Sequence, residues 1–275
     1  MTPVDSIILG IVEGLTEYLP VSSTGHLIIT SALLKLPHAE TQKAFEVCIQ
    51  GGAILAVASL YYQRIKSIIL GLLGKDPSGF RLFRNLIVAF LPAAIVGLTF
   101  GDLIKKELFG IWPVIVAWVV GGIAILIYTR SREKEGKGSG GLELDQLSTG
   151  KALAIGLIQC VAMWPGTSRS LMTILGGMFT GLSLAAAVEF SFILGFVTLG
   201  AASCHDAVKH GSDMLAEFGA IPLILGTLAS WLSAVIAVKW MVGFLQKHSF
   251  AIFGWYRIAV GVIAIGLAWA GIITQ

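Results

Sequence analysis

Glu13 and Glu17 stand four residues apart, and Pro20-Val-Ser22-Ser23-Thr24-Gly25-His26 follows at once. On a helix the two carboxylates share one face. Side by side among apolar neighbours they are costly unless something compensates them, and ionisable groups inside apolar segments of membrane proteins point to function. They could hold a divalent cation, or one could keep a proton and give it to a leaving oxygen. Ser22, Ser23 and Thr24 supply consecutive hydroxyls, and Gly25 lets the backbone turn so that amide groups also face an anion. That set suits phosphate oxygens. Ser23 is the preferred nucleophile, with His26 as its base; His26 as the attacking group is the leading variant.

A second polar cluster, Pro165-Gly166-Thr167-Ser168-Arg169-Ser170, contains the only basic residue well inside another apolar stretch. A buried guanidinium needs an anion, and its planar fork matches phosphate. Pro165-Gly166 should turn the chain into a short helix from Ser168, aiming free amides at the same anion. The competing expectation is an ion pair from Arg169 to Glu46 or Glu189. Those two carboxylates, at matching places in the two halves of the chain, read as hydrogen-bonding braces, with Gln50 and Gln159 in support.

The elements that must carry these groups are helices in a membrane. Of the 275 residues, 56% are hydrophobic and 13% charged, against about 25% charged in soluble domains; mean hydropathy is +0.85. The expected fold is all-α and polytopic, one integral membrane domain over residues 1–275. Six stretches approach spanning length, roughly 45–62, 86–101, 112–129, 184–203, 221–242 and 253–273. The pieces 7–12 and 27–36 around the first cluster, and 152–164 and 171–179 around the second, are too short to span. They read as two re-entrant helical hairpins, with irregular backbone only where protein or a water-filled cavity surrounds it.

The net charge of +3 gives no reason to expect nucleic acid. Cys48, Cys160 and Cys204 have neither disulfide nor zinc spacing. Met1–Ser6 lacks a basic residue and no A-x-A pattern follows, so a removable signal peptide is not expected.

Internal similarity joins the clusters. Gly10-Ile-Val-Glu13 aligns with Gly156-Leu-Ile-Gln159, Tyr18 to Ser23 with Trp164 to Ser168, and Ala44-Phe-Glu46 with Ala187-Val-Glu189. Repeat one covers about 1–130 and repeat two about 151–275, with a cytoplasmic linker at about 131–150 whose Lys137–Gly141 part is flexible by composition. Arg64, Lys66, Lys75, Arg81 and Arg84 crowd one loop, and Arg130, Arg132, Lys134, Lys137 and Lys151 another. The positive-inside rule places both in the cytoplasm, so the two hairpins enter from opposite faces, the first from outside. Inverted repeats whose broken helices meet near the midplane are a transporter architecture, so a transporter or flippase of a polyprenyl phosphate lipid is the competing function.

The motifs Glu13-x-x-x-Glu17, Leu19-Pro-Val-Ser-Ser-Thr-Gly-His26 and Pro165-Gly-Thr-Ser-Arg-Ser170, followed by Thr173, resemble those of the undecaprenyl-diphosphate phosphatase family, the bacterial bacitracin-resistance proteins. The likeness covers the whole chain. It implies an inner-membrane hydrolase that converts undecaprenyl diphosphate to undecaprenyl phosphate and inorganic phosphate, recycling the carrier lipid for peptidoglycan synthesis. It also implies an outward-facing site and dependence on Mg2+ or Ca2+, for which Glu13 and Glu17 would be the ligands. The expected reacting groups are Glu13, Glu17, Ser23, His26 and Arg169. Around the phosphates stand Ser22, Thr24, Gly25, Gly166, Ser168, Ser170 and Thr173. The partners are the polyprenyl diphosphate and membrane lipid, with a homodimer left open.

Overall fold

The computed structural model describes residues 1–36, 40–108, 110–134 and 140–273; at 40–44, 102, 105, 106, 205–207 and 209–213 it describes the backbone alone. Eleven α-helices follow one another among these residues, and the only strand pairing is an isolated bridge between Leu142 and Leu182. Two short helices come first, α1 (Pro3–Thr16) and α2 (Ser23–Leu33), then α3 (Glu40–Leu60), α4 (Tyr62–Leu72), α5 (Pro77–Leu108) and α6 (Ile111–Lys134). The second half repeats the order: short α7 (Thr149–Gln159) and α8 (Arg169–Phe179), then α9 (Leu184–Phe218), α10 (Ala220–Leu245) and α11 (Ala251–Trp269).

Among the described residues five helices, α5, α6, α9, α10 and α11, contain stretches long and apolar enough to cross a membrane. A sixth span results if α3 and α4, bent by 79° at Tyr61, count as one. Several helices run past the apolar stretches expected from sequence. Helix α5 begins at Pro77 and carries Arg81 and Arg84 in its first turns, because nothing breaks helical backbone between the turn at Gly74 and the apolar run. The Lys137–Ser139 part of the linker lies outside the described residues, whereas its far end is tied down. The Leu142 amide donates to the Gly181 carbonyl (2.8 Å), and Ser183 donates back to Leu142 (2.9 Å).

Apolar side chains face outward along the spans, with Leu98 87% and Ile127 66% exposed. Such faces require lipid as solvent. Trp112, Trp240 and Trp255 are exposed near helix ends, where amphipathic rings meet the membrane interface.

Since lipid removes the water-driven reason for helices to associate, close backbone packing between small residues has to supply it. Helix α1 packs on α10 and α7 on α5, so each short helix leans on a long helix of the other half. Gly10 faces the Gly226 carbonyl and its aligned partner Gly156 faces the Ala89 carbonyl, both so closely that a Cβ would collide. Gly14 likewise abuts the Ser230 carbonyl, the Ser233 hydroxyl and the Ala234 amide. Gly14→Val is therefore expected to destabilise the protein by about 1–3 kcal/mol, read as a lower unfolding temperature in detergent. An unshifted transition would contradict this packing.

Candidate active site

Helix α1 ends at Thr16, with Glu17 as its C-cap, and the chain turns through Tyr18–Val21 before α2 starts. Ser22 is the N-cap of α2 and adopts φ 73°; Ser168, the N-cap of α8, adopts φ 78°. Left-handed backbone at a residue with a side chain costs on the order of 1–3 kcal/mol and persists where surrounding structure holds it. Each cap hydroxyl accepts from the amide three residues on, Gly25 (3.5 Å) and Leu171 (3.2 Å). Ser23 and Arg169 are thus the first residues of two helices with the same cap conformation. First-turn amides have no acceptor within their own helix, and the helix dipole adds positive potential there.

The turn of the first hairpin is irregular backbone within an apolar protein, so its carbonyls need donors. Ser170 Oγ donates to the Leu19 carbonyl (2.9 Å), Arg257 Nη1 to Pro20 (3.2 Å) and Trp118 Nε1 to Val21 (2.8 Å). His26 Nδ1 lies 2.7 Å from the Ser22 carbonyl. Four consecutive carbonyls are met by side chains of α8, α11, α6 and α2.

Both cap residues, with Ser23, Thr24, Gly166, Arg169 and Glu17, line a cavity of about 110 Å³, to which Gln50, Trp164 and Leu199 also contribute. Inside it the reactive groups form one chain. The Ser23 hydroxyl donates to Glu17 Oε2, and Arg169 Nη2 donates to Glu17 Oε1 at 2.8 Å. Arg169 Nη1 donates to the Ser191 carbonyl (3.1 Å), and its guanidinium lies 5.4 Å from the Tyr18 ring centroid. Gly195, one turn beyond Ser191, leaves the guanidinium its space, since a Cβ there would run into it. Arg169 Nε has no acceptor among the described residues. A larger cavity, about 240 Å³, lies between the C-terminal ends of α6 and α10. None of the expected site residues lines it, so it has no share in this chemistry.

The remaining expected residues fall into distinct places. Glu13 is 1% exposed, neither of its carboxylate oxygens has a partner of hydrogen-bond geometry among the described residues, and its charge lies close to those of Glu17 and Glu46. Ser170 and Thr173 are buried behind the cavity; Thr173 joins the Ser191 hydroxyl at 2.6 Å. Gly25 lies inside α2 rather than at the turn, which falls on Ser22; its missing Cβ admits the Trp118 ring. Among the described residues His26 makes no side-chain hydrogen bond to Ser23: its ring lies tilted against Trp118 and stacks on Tyr256, and its Nε2 lies 2.8 Å from the Tyr256 hydroxyl. Neither brace carboxylate pairs with Arg169. Glu189 binds Arg64 (2.7 Å), because α9 carries it away from the cavity toward α4.

Comparison with known proteins bears on what such a chain belongs to. The family model described as "Bacitracin resistance protein BacA" matches residues 6–263. The chain belongs to this family. It is 44% identical over 271 residues to "Undecaprenyl-diphosphatase 2" of Rhodospirillum rubrum, covering 98% of this chain and 97% of that protein. "Undecaprenyl-diphosphatase 1" of Chromobacterium violaceum is 44% identical over 269 residues, covering 98% and 97%. The undecaprenyl-diphosphatase of Sorangium cellulosum is 44% identical over 264 residues, covering 96% and 85%.

Within this member of the bacitracin-resistance family, two residues of the site escaped the motif reading. Arg257 and Trp118 sit in apolar runs and donate to the hairpin carbonyls from α11 and α6. The rule that singled out Arg169, an ionisable residue inside an apolar segment, applies equally to Arg257.

Among the described residues no group of three or more His, Cys, Asp or Glu could enclose a metal ion. Mg2+ needs no such cage, since one or two carboxylates plus substrate phosphates hold it. Glu13 has carboxylate oxygens without hydrogen-bond partners among the described residues but is buried off the cavity lining, whereas Glu17 lines the cavity with both oxygens already facing Arg169 and Ser23.

Proposed function

We propose that this protein hydrolyses undecaprenyl diphosphate to undecaprenyl phosphate and inorganic phosphate, with Ser23 as nucleophile and Glu17 as its base. The observation that carries this reading is the chain Ser23 Oγ, Glu17 carboxylate, Arg169 guanidinium inside one cavity. Glu17 takes the hydroxyl proton as Ser23 Oγ bonds to the terminal phosphorus, and the bridging P–O bond breaks with undecaprenyl phosphate as leaving group. Water then cleaves the phosphoserine, releasing phosphate and restoring Ser23. Arg169, the Ser22 and Thr24 hydroxyls and the first-turn amides of α2 and α8 stabilise charge on the transferred group. Donors fixed before substrate arrives need no reorganisation. His26, held by Ser22 and Tyr256, sets the cap of α2.

Glu13, beside Glu17, would hold a Mg2+ or Ca2+ ion, and the ion would supply charge neutralisation to the phosphate oxygens. The matched caps and the crossed packing of α1 on α10 and α7 on α5 support reading the halves as inverted repeats with re-entrant hairpins. The loop charges support an inner-membrane protein whose site faces outward. Recycling of the carrier lipid and bacitracin resistance follow from this reaction.

The test is phosphate release from undecaprenyl diphosphate by purified protein in detergent, with Mg2+, with Ca2+ and with chelator. Release is expected, and it is expected to fall on chelation. A transporter of polyprenyl phosphate would release none, because detergent removes both compartments but leaves an anhydride bond intact.

A further inference from the structure

Arg257 of α11 is fully buried. A guanidinium out of water normally meets a carboxylate or phosphate, because an unpaired buried charge is among the most costly features a protein can hold. Among the described residues every hydrogen bond of Arg257 ends on a backbone carbonyl. Nε donates to Trp118 (3.3 Å), Nη1 to Pro20 (3.2 Å), and Nη2 to Ala117 (2.7 Å) and Gly166 (2.9 Å).

Two of these acceptors stand in matching places. Pro20 lies two residues before the cap Ser22, and Gly166 two residues before the cap Ser168. One rigid fork therefore spans the breaks of both hairpins and anchors them to α6 through Ala117 and Trp118. Helices α2 and α8 are each only 11 residues long. Their N-termini bring Ser23 and Arg169 to the cavity, so the distance between those two side chains depends on what joins the breaks. Gly121 of α6 keeps the seat open, since a Cβ there would press on the guanidinium.

We propose that Arg257 is a positioning residue that sets the spacing of the two half-sites, so that the Ser23 oxygen and the Arg169 guanidinium meet one phosphoryl group. This rests on the hydrolase reading above. Its effect belongs to the transition state, where a misplacement of about 1 Å costs on the order of 100-fold. Ground-state binding of a lipid diphosphate, spread over several hydroxyls and amides, is less sensitive.

The test uses Arg257→Lys, which keeps a cation but cannot reach both breaks, and Gly121→Ala, which keeps Arg257 and displaces it. In folded, monodisperse protein both are expected to lower kcat about 100-fold while KM stays within about threefold. A role in folding alone would lower yield and leave kcat per folded molecule unchanged. A second readout needs no substrate. With Cys48, Cys160 and Cys204 replaced by Ala, nitroxides at Leu33→Cys and Phe179→Cys, exposed at the far ends of α2 and α8, report the distance between the helices. Arg257→Lys is expected to broaden or shift that distribution. An unchanged distribution, or unchanged kcat in the folded variants, overturns the proposal. A parent protein that released no phosphate would instead overturn the hydrolase reading, leaving the distance measurement to decide on Arg257.

Discussion

Ser23→Ala is expected to lower phosphate release roughly 10^4- to 10^6-fold while the protein still folds, which is the scale of losing a covalent nucleophile. The hydroxyl has one partner in the site, the Glu17 carboxylate, and Glu17 retains Arg169 when that hydroxyl goes. The loss of one hydrogen bond to a charged group costs about 1.5–3 kcal/mol, so the unfolding temperature should drop modestly beside the collapse in rate. A phosphorylated intermediate trapped in the parent should map to Ser23 and vanish in the variant. Turnover within tenfold of the parent, or a phosphoryl group found on His26, would remove Ser23 from its role.

Arg169→Ala carries the second largest expected effect, and it acts on rate and stability together. Loss of an arginine that neutralises a transferring phosphoryl group costs roughly 10^3- to 10^5-fold. The side chains of Arg169 and Glu17 are 13% and 7% exposed, so the pair is largely withdrawn from solvent. Removing one partner of such a pair costs about 3–5 kcal/mol, because the remaining charge is left uncompensated. The double variant Glu17→Gln/Arg169→Met should recover much of that stability and none of the activity. Arg169→Lys should fold well yet remain far below the parent, since a point charge cannot reach Glu17 and the Ser191 carbonyl in one plane. Activity within tenfold of the parent in Arg169→Ala would rule out phosphate stabilisation by this residue.

Ser23, Glu17 and Arg169 were not equally legible in the sequence. Ser23 and Arg169 were legible early: a hydroxyl run and a lone guanidinium within apolar segments have few reasons to exist outside a phosphate site. The internal alignment paired Ser23 with Ser168; the shared left-handed caps at Ser22 and Ser168 shift that register by one residue and make Ser23 and Arg169 the first residues of two short helices. Glu17 was legible as an ionisable group but not as the hydrogen-bond partner of the Ser23 hydroxyl, because His26 lay nearer in sequence. Separation along the chain misleads here. The turn at Tyr18–Val21 folds Glu17 back over the start of α2, while the His26 ring is held by the Ser22 carbonyl, Trp118 and Tyr256.

By itself the sequence determined the class of solvent, a set of five or six apolar spans, the two short interrupted segments and the residue types of the site. These follow from properties local to each stretch: apolar length against bilayer thickness, the spacing of polar residues within a turn, and the cost of a charge in hydrocarbon. Tertiary structure alone decided which charges pair, which hydroxyl meets which carboxylate and what holds the breaks in register. Arg169 chose Glu17, 152 positions away, over Glu46 and Glu189, and Arg257 reached across 237 positions to Pro20. Helical periodicity says which residues share a face, but the partner of that face is set by packing among all the helices, where close contacts such as Gly10 on Gly226 admit one arrangement.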